Sequence, residues 1–358
     1  MKKTQGKSAV PTRMTKKITM DDIARELGIS KNSVSLALNE KKGVSEELRS
    51  QIIEKAIEMN YGAFAARQDA RSSCIVVFVP EYLHDDTFFY SEVFWAIETE
   101  AKSNGYVTIN VGITKEMEES LTLPVLQREI PIMGFLVIGV LRKSYIKKLY
   151  DKGYPMVTVD ISYNNVPVGC VGSANMTGGY MATKYLIENG HKRIGFIGPA
   201  FIAISNYERW CGYNLAMHSA GLPISDNHVI FGENEKFKLL NTIEDLEPYL
   251  THLENGPTAW FCAGDRTAIA LINVLKTRGV RVPEDVSVIG FDDIAMAEMI
   301  LPRLTTIRID KKKMGKLAVE YLSNLSEGRT QNAVVSNIVG ELIVRDSVRR
   351  FEAAISAT

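Results

Sequence analysis

The chain is predicted to be an α/β protein: a small N-terminal helix-turn-helix headpiece followed by two doubly wound parallel-sheet subdomains. Three observations predict it. Between residues 18 and 62 the apolar residues recur at helical spacing. From Cys74 onward, short β-branched runs alternate with helix-length amphipathic segments, the mark of parallel strands covered on both faces. Seven such runs over roughly 280 residues fit two sheets better than one. A length of 358 residues with 46% hydrophobic content is enough for two or three domains with real cores.

In the first module, Ile23, Ala24 and Leu27 share one helical face and Val34, Ala37 and Leu38 another. Gly28 lies between them, where a tight turn needs a residue without a Cβ. Ser30 is placed to cap the second helix, whose outer face (Lys31, Asn32, Ser33, Ser35, Leu36, Asn39) is mostly short and polar. Two short helices with a polar second face describe a helix-turn-helix that enters a major groove; spacing alone fits an ordinary surface hairpin equally well. Ser45 followed by Glu46 and Glu47 starts a third helix, with acids against the positive end of its dipole. Leu48, Ile52, Ile53, Ala56 and Ile57 give that helix one apolar stripe, so residues 18–62 read as an independent module.

Before it, residues 1–17 form a basic arm, expected to be disordered. Residues 1–20 carry six Lys or Arg and no acid, whereas 21–70 carry seven bases against nine acids. Such an arm suits phosphates or simple solubility, and the net charge of zero favours no class of partner. Residues 63–73, small and polar, read as a hinge or linker. Strands are expected at 75–79, 106–111, 134–140, 156–160, 194–197, 258–262 and 286–290. Helices are expected at 90–104, 142–152, 177–189, 206–220 and 265–279. In such a fold the ligand binds where strand carboxyl ends face one another across a cleft.

Several functions are disfavoured. No apolar run reaches eighteen residues and the basic N-terminus lacks a signal-peptide core, so a cytoplasmic protein with no membrane partner is expected. Cys74, Cys170, Cys211 and Cys262 are far apart in apolar contexts, and the five histidines lack ligand spacing, so no metal, cofactor or disulfide is expected. There is no phosphate loop, dinucleotide fingerprint or nucleophile elbow. Asp292 and Asp293 follow the strand VSVIGF without a nucleophile beside them, so they suit hydrogen-bond acceptance better than catalysis. His191 reads as a structural turn residue. The chain is not expected to be an enzyme.

From about Thr19 to Ser347 the chain resembles the lactose/galactose repressor family of bacterial transcription regulators. The resemblance rests on TMDDIARELGIS at 19–30, VSLALN at 34–39, VSEELR at 44–49 and GHKRIGFIG at 190–198. It continues in ERxxGY at 208–213, RVPEDVSVIGFDD at 281–293, LTTIR at 304–308 and ELIVRDS at 341–347. It implies a homodimer, or a tetramer, with a headpiece, a hinge and a periplasmic-binding-protein-like core at 74–358. That core would divide into one subdomain of about 74–172 plus 309–335 and another of about 173–308 plus 336–358. The partners implied are pseudopalindromic operator DNA and a small-molecule effector, a carbohydrate, and the role implied is repression. A carbohydrate-binding protein with a degenerate headpiece is the alternative.

By the same resemblance, Lys31, Asn32 and Leu36 are the expected base readers, with Thr19, Ser30, Ser33, Ser35 and Asn39 positioning on backbone or adjacent bases. Many members carry arginine where Leu36 stands; leucine makes no bidentate guanine contact but packs on a thymine methyl. The family's hinge motif, Tyr-x-Pro-Asn followed by a minor-groove leucine, is replaced by Tyr61, Gly62, Ala63 and Phe64, with Asp69 or Ala70 at the leucine position. Phe64 is a substitute wedge or a plain linker residue. In the core, Phe88 and Phe89 are the expected aromatic wall, Asp160 and Asp292 the carboxylates for ligand hydroxyls, and Arg209 the donor fork. Gly264 and Ala174–Asn175–Met176 depart from the usual polar set, Asp293 has an alternative role as a helix cap, and Trp210 and Trp260 are expected to be packing residues.

Overall fold

The computed structural model describes residues 18–39, 41–59, 61, 73–83, 88–126, 131–232, 240–250, 256–330 and 332–351. The basic arm and the hinge residues Phe64, Asp69 and Ala70 lie outside these. The chain forms two compact units that divide after Ser73.

The N-terminal unit is three helices: α1 (Met20–Leu27), α2 (Lys31–Leu38) and α3 (Glu46–Glu58). Asp22 closes a capping box on α1, accepting from the Thr19 amide at 2.9 Å and the Thr19 hydroxyl at 2.7 Å. Gly28 ends the helix at φ +63°, and the Ile29 amide returns to the Ala24 carbonyl at 3.0 Å. The Ser30 hydroxyl then caps α2 by accepting from the Ser33 amide at 3.0 Å. Ile23, Val34, Ala37 and Ile52 are wholly buried between the three helices. Arg49 of α3 donates to the carbonyls of Ala37 (3.1 Å) and Lys41 (2.8 Å), which satisfies the open end of α2.

In the second unit, a six-stranded parallel sheet runs in the order β11-β5-β4-β3-β1-β2. Its strands are β1 (Cys74–Pro80), β2 (Val107–Ile113), β3 (Ile132–Ile138), β4 (Met156–Val159), β5 (Gly169–Ser173) and β11 (Val335–Ile338). A second parallel sheet has the order β7-β6-β8-β9, from β6 (Ile194–Ile197), β7 (Val229–Ile230), β8 (Ala259–Cys262) and β9 (Ser287–Ile289). A short antiparallel pair, β10 (Thr306–Arg308) and β12 (Glu341–Ile343), completes the set.

Five helices matter for the site: α4 (Tyr90–Ser103), α7 (Asn175–Glu188), α8 (Ile204–Ser219), α10 (Asp265–Thr277) and α12 (Lys311–Ser326). The shorter α5 (Lys115–Ser120), α6 (Lys143–Tyr150), α9 (Ile243–Leu246) and α11 (Met296–Met299) fill the connections. Helix α12 packs on α4, β3 and β4, so it belongs to the first sheet. The chain therefore crosses between sheets three times: after β5, between β10 and α12, and between β11 and β12. One expected boundary needs correction. Residues 336–338 are expected in the second subdomain, yet β11 pairs with β5 from Val335↔Cys170 to Ile338↔Ser173. The last crossing falls after Ile338, because the backbone hydrogen bonds of β11 are made with the first sheet.

Glycine at two positions sets how closely α7 and α8 approach. A Cβ on Gly179 would lie 2.3 Å from the Arg209 carbonyl oxygen, and one on Gly212 would lie 2.2 Å from that of Met176. This contact fixes the backbone of Arg209. Among the described residues, no helix is long and apolar enough to cross a membrane and no group of His, Cys, Asp and Glu could hold a metal.

Candidate functional site

In the headpiece, Lys31 opens α2 with its ammonium 2.8 Å from Asp21 Oδ2 on α1. That hydrogen bond first, and the Asp21 charge next, hold the lysine above its ordinary pKa. Asn32 is exposed beside it. Ser30 and Ser33 share a hydroxyl contact of 2.9 Å, and Asn39 Nδ2 donates back to the Ser35 carbonyl at 2.8 Å. Leu36 is half-buried: its Cδ1 would stand 3.1 Å from a Cβ on Gly43, so the loop after α2 covers part of it. The Thr19 hydroxyl proton is engaged by Asp22. Seven of the eight expected residues thus lie in the stretch of cap, helix and C-cap from Ser30 to Asn39, and Thr19 is the N-cap of α1; two of the eight, Thr19 and Lys31, have acidic partners.

In the core, a cluster of polar side chains is built around Arg209, which is 5% exposed. Its guanidinium stacks on Phe291, 3.8 Å from the ring centroid. Nε donates to Asn175 Oδ1 at 2.9 Å, Nη1 to the Ala263 carbonyl, and Nη2 lies 3.2 Å from Asp292 Oδ1. Asn175 is itself held by donating to Glu208 at 3.0 Å. The departure of residues 174–176 from the usual polar set therefore keeps the member that orients the arginine.

Asp160 ends β4 and Asp292 follows β9, so the two carboxylates come from different sheets. Both backbones sit at positive φ, +73° and +104°, a region that costs a side-chain-bearing residue about 1–3 kcal/mol. Strain at both carboxylates marks positions that the surrounding structure enforces. Burial raises the Asp160 carboxyl above its usual range, against the opposing pull of Arg209. Burial likewise pushes Asp292 up to about 6, with Arg209 opposing and Asp160 reinforcing. Tyr90 donates to Asp160 Oδ2 at 2.8 Å, whereas Asp160 Oδ1 is buried without a hydrogen-bond partner. Asp292 Oδ1 is within ion-pair reach of Arg209 but not aligned for a hydrogen bond.

Asp265 was not singled out in the sequence. It is 1% exposed and accepts from the Ile294 amide (2.9 Å) and the Thr306 hydroxyl (2.5 Å). It thereby ties the loop bearing Asp292 to α10, and burial raises its carboxyl well above the usual value. Asp293 does not cap a helix. It lies between Arg308 (2.7 Å) and Arg345 (2.8 Å), because the crossing strands bring both arginines to it.

The aromatic pair divides. Phe89 is buried edge-on to Tyr90 at 5.1 Å, below the Lys311 ammonium at 5.9 Å. Phe88 packs against the second sheet's core, with Arg266 5.6 Å from its ring. In return Ile204, from the start of α8, packs on the first sheet's core. Trp260 is buried at 2% exposure, while half-buried Trp210 joins Tyr207 and Phe231 at 5.5 and 5.4 Å in an aromatic cluster at the carboxyl end of the second sheet. Tyr90 and Phe291 carry no signal of their own in the sequence, and Asn175 stands there only within the altered stretch 174–176. For Tyr90 and Phe291 the signal lies in their sequence neighbours, Phe89 and Asp292.

Residues 19–62 match the family described as Bacterial regulatory proteins, lacI family, and residues 183–348 match a Periplasmic binding protein-like domain. The HTH-type transcriptional repressor PurR of Vibrio parahaemolyticus is 30% identical over 337 residues, 93% of this chain and 99% of that protein. PurR of Pasteurella multocida is 27% identical over 342 residues, 92% and 98% of the two chains. Among solved structures, the transcriptional regulator CelR in complex with cellobiose is similar at 24% identity and TM-score 0.68, covering 92% of this chain and 99% of that one. The lac repressor dimer bound to operator and the anti-inducer ONPF is similar at 21% identity and TM-score 0.62, covering 93% and 100%. These structural likenesses concern the fold; the sequence relatives are repressors and not enzymes. With a helix-turn-helix of this build and relatives matched end to end, the chain belongs to the LacI family and is a DNA-binding transcriptional repressor.

Proposed function

We propose that this repressor binds a pseudopalindromic operator as a homodimer, with α2 of each copy in a major groove, and is controlled by a neutral sugar held between the two sheets of its core. A two-fold dimer presents two α2 helices to two half-sites, which accounts for the symmetry. The base-reading set is Lys31, Asn32 and Leu36, supported by Thr19, Ser30, Ser33, Ser35 and Asn39.

The observation that carries the effector reading is the buried Asp160 and the part-buried Asp292 with Arg209 beside them. Two carboxylates against one guanidinium form an acceptor-rich cluster, and Asp160 Oδ1, with the Ser173 hydroxyl near its carboxyl, makes no well-aligned hydrogen bond. A buried acceptor without a partner costs about 1–3 kcal/mol, and ligand hydroxyls supply the missing donors. A phosphate or carboxylate ligand would meet repulsion from both acids. Arg209 retains N–H groups beyond the three directed at Asn175, Ala263 and Asp292 and donates these to a ring oxygen or hydroxyl. CelR, similar in fold, was solved with cellobiose.

Titration calorimetry of the full-length protein at pH 7.5 with neutral mono- and disaccharides, sugar phosphates and nucleobases tests this. Saturable heat from a neutral sugar, lost in Arg209→Ala and Asp160→Asn, is expected. Tight binding confined to a sugar phosphate or a nucleobase would overturn the sugar assignment.

A further inference from the structure

We propose that Asp21 and Lys31 act as one composite reader of a G·C base pair, so that Asp21, on the first helix, determines operator specificity. This rests on the reading of α2 as the major-groove helix. Lys31 is the first residue of α2 and Asp21 the second of α1, yet their side chains meet at 2.8 Å across the turn, 61% and 54% exposed. Lys31 is the only cation in α2. The capping box belongs to Asp22, so Asp21 has no part in the hydrogen bonds that close α1.

The N-terminal residues of a second helix contact base edges. A carboxylate carried there is repelled by phosphates unless a donor faces it. The major groove offers donors only at cytosine N4 and adenine N6. The ammonium seeks two converging acceptors, which guanine O6 and N7 provide. In a G·C pair O6 and the cytosine amino group are adjacent, so a lysine and an aspartate held side by side match both at once. In an A·T pair the adenine donor separates the two acceptors, so the ammonium reaches one acceptor beside the carboxylate's donor and loses the second converging acceptor that guanine offers. The preformed contact also fixes the lysine side chain before binding, which lowers the entropy lost on docking.

Selection from a random duplex pool by full-length wild type, Asp21→Asn and Lys31→Ala, followed by competition on the wild-type consensus and its single-pair variants, tests this. Wild type is expected to enrich G·C at one symmetric position per half-site, with discrimination of about tenfold over A·T. Both variants should fall to about twofold at that position alone, and the double variant should fall no further. If Asp21→Asn kept the preference while binding every duplex more tightly, the carboxylate would be a simple repulsive charge and the composite reader would be overturned. Loss of the preference in Lys31→Ala but not Asp21→Asn would overturn it too. A wild-type protein that enriches nothing would overturn the operator reading, and this one with it.

Discussion

Acid titration of the core sets two buried groups against each other. Asp292 is held at about 6 in the folded chain, so between pH 6 and 4 the native state takes up a proton that the unfolded state does not. Stability therefore rises as pH falls through that window. His191, 1% exposed and hydrogen-bonded to Thr258 and the Arg349 carbonyl, is held down to about 4, mainly by burial. There the unfolded state binds the proton first, so stability falls as pH drops from 6.5 to 4. At pH 5, relative to pH 7.5, the linkage relation gives a gain of about 1 kcal/mol from Asp292 and a loss of about 2 kcal/mol from His191. These two contributions largely offset each other, the raised carboxyls of Asp160 and Asp265 add further gain on acidification, and the variants isolate each of the two. Asp292→Asn should lose about 1 kcal/mol more than wild type on acidification, whereas His191→Gln should turn the net loss into a gain. Urea unfolding followed by circular dichroism at pH 7.5 and 5.0 reads both. The absolute stability of Asp292→Asn also reflects the lost Arg209 pair, but the pH difference does not depend on it. Parallel profiles for wild type and Asp292→Asn would refute the buried-carboxylate account.

Effector affinity should follow the same group in the opposite sense: if the ligand hydroxyl needs an ionised Asp292, Kd at pH 5 should be about tenfold weaker than at pH 7.5, and flat in Asp292→Asn by calorimetry. Arg209→Ala should abolish the ligand's effect on operator binding while leaving operator affinity itself intact in a gel shift; lost DNA binding would mean a folding role. Gly179→Ala drives a Cβ to 2.3 Å from the Arg209 carbonyl and should cost about 1–3 kcal/mol of core stability, with weaker effector binding, by thermal unfolding and calorimetry. Leu36 carries no guanidinium, so the selected half-site should show no invariant guanine opposite it; an invariant guanine there would refute that placement.

Much of this architecture is legible because it is local. The capping pattern, Gly28 and the apolar stripes of α1 and α2 are short-range signals, and each occupies its expected place. Strands β1, β3, β4 and β8 are continuous apolar runs because they are covered on both faces, and their burial is nearly complete. Strand β5, with sequence GCVGS, was missed because glycine there answers a close approach and not a propensity: a Cβ on Gly169 would fall 2.3 Å from the Tyr321 ring. Strand β11, VSNI, is largely exposed and carries no apolar alternation, so only its pairing with β5 defines it. Arg209 and Asp292 are picked out by motif position and Asp160 by ending the strand MVTVD, and the fold brings the three together. Tyr90 reaches Asp160 seventy residues away, and Asp293 gains its arginines from two crossing strands, contacts that no local periodicity encodes.

The same contacts indicate how ligand occupancy reaches the rest of the core. Lys311 opens α12 on the first sheet, yet its ammonium donates to the Asp293 carbonyl at 3.1 Å and pairs with Glu92 at 3.2 Å, while only 5% exposed. It therefore links both subdomains one residue from Asp292. Phe88 and Ile204 make reciprocal apolar contacts, each resting on the opposite subdomain's core. Separating the walls would expose both side chains to water and pull Asp160 away from Arg209, leaving a buried charge less compensated. A ligand that donates to Asp160 and Asp292 gains both sets of contacts only when the walls are together. Its differential affinity for that arrangement sets an upper limit on the regulatory free energy, typically 1–3 kcal/mol. Weakening the Lys311 link with Lys311→Met should therefore reduce the ligand-dependent shift in operator affinity more than it reduces operator affinity itself. Equal losses in both would place Lys311 in the stability of the fold and not in its switching.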